Sequence, residues 1–167
     1  DAIYLIGEYN FNFDTKVVYG VDHEIDYSNY KDDWSGLYEN HSEFINSQYL
    51  DLQFRPKEKL YSTIGFRRDD HSIAGDHATG RATIAYKLNN LSKIRTSYGT
   101  GIRYPALYDY YYGTVLTKKE DLKPEKSKSF DIGYDTTFEK INTNFNISAF
   151  KITYNDAIEG WKSNTSS

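Results

Sequence analysis

The stretch "RRDDHSIAGDH" gathers three carboxylates and two imidazoles, Asp69, Asp70, His71, Asp76 and His77, into a short span. Carboxylate oxygens at such density suit a hard cation such as calcium, and the imidazoles would suit a transition metal. The spacing matches no established ligand pattern, so the cluster is a candidate metal site on density alone. A second chemistry is aromatic. Trp34 and Tyr38 sit in "KDDWSGLYENH", and Tyr104, Tyr108, Tyr110, Tyr111 and Tyr112 crowd "YPALYDYYYG". Rigid amphipathic rings give contact area at low entropic cost, which suits recognition of a flat small molecule. The same rings can equally form an interfacial girdle or pack loop against loop. No nucleophile-elbow motif or paired-carboxylate arrangement stands out, so no enzyme is expected.

The composition narrows what could position these groups. Hydrophobic residues make up 38% and mean hydropathy is -0.74, low for a packed soluble domain, yet aromatics reach 17%. Seventeen tyrosines against nine phenylalanines favour surfaces that are half wet and half apolar. A net charge of -4 argues against nucleic acid as a partner. Without cysteine there is no disulfide framework and no thiolate metal site. The sequence starts without methionine and without a secretory leader, as expected of a chain that is processed or cut from something longer. No run approaches the roughly 20 apolar residues of a membrane helix. A β-barrel escapes that test.

Period-two alternation recurs in eight segments, near 3–13, 17–27, 44–54, 60–69, 76–88, 94–103, 130–138 and 145–154. In the fifth, Ala78, Gly80, Ala82, Ile84, Tyr86 and Leu88 alternate with Thr79, Arg81, Thr83, Ala85 and Lys87. In the eighth the phase slips from Phe145, Ile147 and Ala149 to Phe150, Ile152 and Tyr154, which predicts a bulge near Ala149. The connections alternate in length. Short ones fall at Asp14–Thr15, "RPKEK", "NNLS" and "EKIN", and long ones at 28–41, 69–77, 104–126 and after Asn155. Tight turns at one end and long loops at the other are the signature of a transmembrane barrel. Against a dry core, Arg81, Lys87, Arg95 and Arg103 would be buried charges in need of partners. Against a wet lumen they are simply solvated, and the apolar face meets lipid.

The residues from Arg95 to Gly133, "RTSYGTGIRYPALYDYYYG" through "EDLKPEKSKSFDIG", resemble the late-barrel signature of TonB-dependent outer-membrane receptors, most nearly the cobalamin-receptor-like branch. "ATGRATIAYKLNN" before this region and "NISAFKITYNDAIEG" after it are similar too. The motif positions are Tyr98, Gly99, Gly101, Arg103, Pro105, Leu122, Pro124, Glu125 and Ser127, with structural roles. Gly99 and Gly101 leave room on the lumen side, Pro105 ends a strand, and Pro124 pins an extended re-entry into the sheet. Glu125, Lys126 and Lys128 are rim charges.

The resemblance implies a bacterial outer-membrane location and uptake of a scarce metal chelate, cobalamin or a ferric siderophore. It also implies a plug domain and energy coupling through the TonB complex. The loop aromatics would then face a corrin or an aromatic siderophore. The expected fold is all-β, an antiparallel up-and-down transmembrane barrel. Residues 1–167 would supply about eight strands of the larger, twenty-two-stranded barrel that the resemblance implies, without plug or terminal strand. The alternative is a self-contained eight-stranded outer-membrane barrel with a structural or adhesive role, in which the first strand pairs with the eighth. No cofactor is expected beyond calcium in an extracellular loop.

Overall fold

The computed structural model describes residues 1–31, 38–111 and 122–157. Eight strands form one antiparallel sheet in sequence order: β1 (Ala2–Asn12), β2 (Thr15–Lys31), β3 (Tyr38–Lys57), β4 (Leu60–His71), β5 (Gly75–Lys87), β6 (Ser92–Arg103), β7 (Glu125–Phe138) and β8 (Thr143–Asn155). A short helix, α1 (Leu107–Tyr111), follows β6. Each strand pairs with its sequence neighbours, and β1 and β8 do not pair with each other. The sheet is an open arc, so the closed eight-stranded alternative does not describe it.

The register sorts side chains into two faces. Partners directly opposite share a face, so Tyr9, Val17, Leu52, Ile64, Ala82, Tyr98 and Phe130 form one outward row ending at Lys151. The next row, on the other face, runs through Gln53, Thr63, Thr83, Ser97 and Asp131. Among the described residues nothing covers the apolar face. Ile64 and Phe66 are each 54% exposed and Ile84 48%. Among the described residues the only buried hydrophobic side chains are Leu107 and Tyr110, both in α1. Among the described residues the sheet is thus apolar on one side with no other element packed against it, the pattern of a transmembrane barrel wall.

The apolar belt also runs diagonally. On β2 it climbs from Val17 toward Tyr27 at the long-loop end, while on β7 it descends from Phe130 to Phe138 at the turn end. The belt thus drifts by about one to two residues per strand crossed. At ~3.3 Å per residue and ~4.8 Å between strands, this is a tilt of roughly 35–50°, the range of transmembrane barrel strands.

The tilt corrects the expected bulge near Ala149. Pairing of β7 with β8 is continuous from Phe138–Thr143 to Lys126–Asn155. The apolar side changes because β8 leaves the belt above Ala149, so Lys151 and Thr153 face outward while Phe150 and Ile152 turn to the polar face. The bulges that do occur lie at the turn end, between Asn10 and Asn12 and between Phe54 and Lys57.

Two of the expected long loops are shorter than the sequence suggests. Between 28 and 41, β2 continues to Lys31 and β3 begins at Tyr38, paired Lys31 to Tyr38. Between 69 and 77, β4 runs to His71 and β5 starts at Gly75, leaving only Ser72, Ile73 and Ala74 as the connection. Both strand pairs extend past the lipid belt into water. There neither face needs to be apolar, so alternation disappears while backbone pairing persists. Gly75 closes the hairpin with φ +78, a conformation that disfavours any side chain.

Candidate functional site

The segment after β6 folds back as a strap over the polar face, at the long-loop end of β2–β4. Pro105 is fully buried, and Leu107 and Tyr110 are nearly so. Tyr104 donates from its hydroxyl to Asp69 Oδ2 at 3.3 Å, and its ring lies 4.3 Å from that of His71 and 5.7 Å from that of His77. Tyr111 stacks on His41 with centroids 3.5 Å apart and planes 10° from parallel. Asp109 Oδ2 accepts from the Ala106 amide at 3.1 Å, which shapes the turn into α1. Burial and the nearby Asp69 carboxylate hold the Tyr104 phenol well above its ordinary value. Burial, with the Glu43 charge added, pushes Tyr110 up to about 12. Both rings therefore dock in the neutral form, Tyr104 through its hydrogen bond to Asp69 and Tyr110 by burial of its ring.

Beneath the strap, Arg67 ties three strands together. Its Nε donates to Asp69 Oδ1 at 2.7 Å, Nη1 to Asp22 Oδ2 at 3.1 Å and Nη2 to Ser47 Oγ at 2.7 Å. Ser47, Asp69 and His71 are buried. Alternation on β2, β3 and β4 aims all of these side chains at the same face. The sequence analysis did not single out Arg67, Asp22, Ser47 or Glu43. The available signal was opposite charge at inward positions of adjacent strands, and it needs the register to be read.

His71 holds the hairpin turn through its ring. Its Nδ1 accepts from the Ile73 and Ala74 amides at 3.1 and 3.2 Å, so the ring proton resides on Nε2. That Nε2 points toward Glu43 Oε2 at 3.5 Å, in ion-pair range but without a hydrogen bond. A ligating histidine instead offers a lone pair and donates from its other nitrogen. His77 donates from Nε2 to the Ala74 carbonyl at 3.1 Å.

The five residues of the expected metal cluster do not come together. Register places Asp69, His71 and His77 on the polar face and Asp70 and Asp76 on the other, where Asp76 pairs with Arg68 at 3.0 Å. Among the described residues no group of three or more His, Asp or Glu is arranged to hold a metal.

Nearer the turn end the polar face carries further ion pairs. Arg81 reaches across β4 to Asp51, with Nη2 to Oδ2 at 2.8 Å. It can do so because Gly65 lies between them; a Cβ there would collide with the Asp51 and Arg81 side chains. Arg95 pairs with Asp131 at 3.5 Å and Asp135 at 3.3 Å, and Ser97 hydrogen-bonds Asp131. These arginines are half exposed to the open side of the sheet.

The aromatic candidates separate. Tyr104, Tyr110 and Tyr111 are committed to the strap's docking, and Tyr108 projects from it, 59% exposed. Tyr38 lies in β3, 61% exposed, at a register position on the outward face. Trp34 and Tyr112 fall outside the described residues. Of the motif positions, Gly99 and Gly101 lie on the polar face opposite Ser129 and Ser127. Arg103 pairs with Glu125 at 3.2 Å, Tyr98 faces outward opposite Phe130, Leu122 is half-buried and Pro124 is buried.

The arc superposes on parts of larger barrels. It matches the siderophore receptor PirA from Acinetobacter baumannii with a TM-score of 0.75 at 18% identity, covering 93% of this chain and 27% of that one. It matches the ferric enterobactin receptor PfeA from Pseudomonas aeruginosa with a TM-score of 0.75 at 14% identity, covering 92% and 27% respectively. The copper transporter OprC matches at 0.62 and 15% identity, covering 81% and 27%. At these identities the likeness is one of fold, and the chain spans about a quarter of each relative's length. By sequence, no curated protein matches. The family model described as "TonB dependent receptor-like, beta-barrel" matches residues 3–160. An open, tilted arc with an uncovered apolar outer face, matched by that model over nearly its whole length, belongs to the TonB-dependent receptor β-barrel family of the bacterial outer membrane.

Proposed function

We propose that this sheet is part of the wall of an outer-membrane receptor that takes up a scarce metal chelate, with its polar face toward the transport path. The observation that carries the reading is the pairing of an uncovered apolar face with a polar face organised by ion pairs across strands. The neighbours described as siderophore receptor, ferric enterobactin receptor and copper transporter support metal-linked cargo. A plug domain against the polar face and the TonB complex as energy source are the partners this reading requires of the full-length protein.

The charge of the wall bears on the cargo. Above the Arg67 cluster, the polar face of β2 and β3 presents Glu24, Asp26, Glu39 and Glu43. Among the described residues, His41 lies 3.2 Å from Glu39 and His71 3.5 Å from Glu43. This sector favours a neutral or cationic chelate over a polyanionic one. A corrinoid fits that charge, and so does a cationic ferric siderophore. Tyr108 is the described aromatic placed to meet it.

The test is uptake by a strain lacking the receptor gene, complemented with the full-length protein and supplied separately with labelled corrinoid, cationic ferric chelate and anionic ferric chelate. Energy-dependent accumulation of one of the first two supports the proposal. Accumulation of the anionic chelate alone overturns the charge assignment, and accumulation of none overturns the receptor reading.

A further inference from the structure

Where the strap meets the wall, three buried polar atoms have no hydrogen-bond partner among the described residues: His71 Nε2, Glu43 Oε2 and the Tyr110 hydroxyl. The His71 side chain is fully buried and that of Glu43 is 9% exposed, with Nε2 and Oε2 3.5 Å apart. The outward residues of β3 and β4 at this level are Asn46, Gln48, Arg68 and Asp70, so the pair sits above the apolar belt.

The His71 ring has no free nitrogen for a second proton. Nδ1 accepts from the Ile73 and Ala74 amides, and Nε2 carries the proton of the neutral ring. A proton added at Nδ1 replaces two accepted hydrogen bonds with an N–H aimed at two N–H donors. It also puts a charge in a pocket closed by the Tyr104 ring, 4.3 Å away. The turn must then open, and the seat of Tyr104 opens with it.

The surrounding groups decide the direction of the pH response. On β3, Glu43 faces Nε2, with Asp26 of β2 opposite it in the register. On β4, Asp69 is held by Arg67, and Asp70 lies on the other face. On β5, His77 donates from Nε2 to the Ala74 carbonyl, a bond it keeps when its Nδ1 gains a proton. The Tyr104 and Tyr110 phenols of the strap stay neutral. Burial, and then the His77 charge, hold His71 below the ordinary imidazole value of 6.5. Burial, and then Asp26, raise Glu43 above the ordinary 4.5. The signs oppose each other. The lowered imidazole withdraws stability from the docked strap as pH falls through 6.5, and the raised carboxyl returns some as it is protonated on the way to 4.5. The imidazole has the higher ordinary value, so release leads.

We propose that the strap is an acid-released latch: uptake of a proton by His71 breaks the 72–74 turn and undocks residues 104–111 from the polar face. The inference concerns the strap alone and holds for any cargo.

The test is hydrogen exchange on the full-length protein in uncharged detergent, with rates corrected for the intrinsic pH dependence of exchange. A histidine that titrates only when the latch is open raises the opening of 72–75 and 107–111 up to about tenfold between about pH 7.5 and about pH 5.5. The wild type rises at least about twofold, because Glu43 offsets part of the effect, and the turn at 89–92 does not respond. His71→Asn offers the turn an oxygen acceptor and removes the titrating ring, so its opening stays flat or falls on acidification. Glu43→Gln removes the offset and gives the larger, roughly tenfold rise. His77→Gln retains a donor to the Ala74 carbonyl and keeps the wild-type response. Should His71→Asn fail to fold, the other two variants still decide. No acid response in the wild type, an undiminished one in His71→Asn, a smaller one in Glu43→Gln or its loss in His77→Gln overturns the proposal.

Discussion

The depth of a residue in the apolar belt sets a quantitative expectation for β5. Its outward apolar residues run from Tyr86 through Ile84, Ala82 and Gly80 to Ala78, with Ala82 in the middle. At ~3.3 Å per residue and a tilt near 40°, Ala82 lies about 10 Å from either border of the belt. An arginine at that depth costs about 2–4 kcal/mol, and one at a border about 0–1. Thr83, the next residue along, faces the polar side between Thr63 and Ser97, where an arginine stays hydrated and costs close to nothing. Ala82→Arg should therefore destabilise the full-length receptor by about 2–4 kcal/mol, Ala78→Arg by about 0–1 and Thr83→Arg by less than about 0.5. The assay is reversible guanidinium unfolding from lipid vesicles followed by tryptophan fluorescence. The ordering is what matters. If Thr83→Arg costs as much as Ala82→Arg, or if Ala78→Arg matches Ala82→Arg, the faces or the belt have been misassigned.

Other expectations concern the strap and the hairpin. Arg67→Gln removes the contacts to Asp22 and Asp69 and should cost about 1–2 kcal/mol, less than a fully buried pair because the guanidinium side chain is 42% exposed. Hydrogen exchange should then rise in Tyr104–Tyr111 while the turn end of the sheet keeps its protection. His71→Phe keeps an aromatic ring, a larger one, but strips the Ile73 and Ala74 amides of their acceptor, at about 1–3 kcal/mol. Limited proteolysis at 72–74 would detect it, and an unchanged cleavage rate would argue against that role. Because the folded pKa of Tyr110 is raised from 10.0 to about 12, the stability its docking contributes is complete below the lower value. That stability is lost as pH rises toward the higher one. Ultraviolet titration should find this phenol ionising late, and Tyr110→Phe should remove its share of the alkaline instability. Tyr108→Ala should weaken chelate binding, and Tyr110→Ala should chiefly lower unfolding stability because its ring is buried.

The two faces, the eight strands, their antiparallel order and the tight turns were legible in the sequence, because alternation is written locally wherever one side of a strand meets lipid. The same logic explains where reading fell short. Ser28–Lys31 and Tyr38–His41 pair as strands although they show no alternation, since both of their faces are wet. The acidic cluster at 69–77 looked like a loop for the same reason, and the pairing of Asp70 with Asp76 divides it between faces.

Residue order alone determined that this protein is a ribbon with one side for hydrocarbon and one for water, since a period of two requires no knowledge of distant partners. Only the tertiary structure decided what that ribbon builds. The strand tilt ends the belt at Ala149 on β8, the pairing brings Asp22, Ser47 and Asp69 around Arg67, and the strap seats Tyr104 and Tyr110 on the wall. Each of these depends on the register between segments far apart in the chain, and a one-residue slip in any pairing would turn the same side chains to the opposite face.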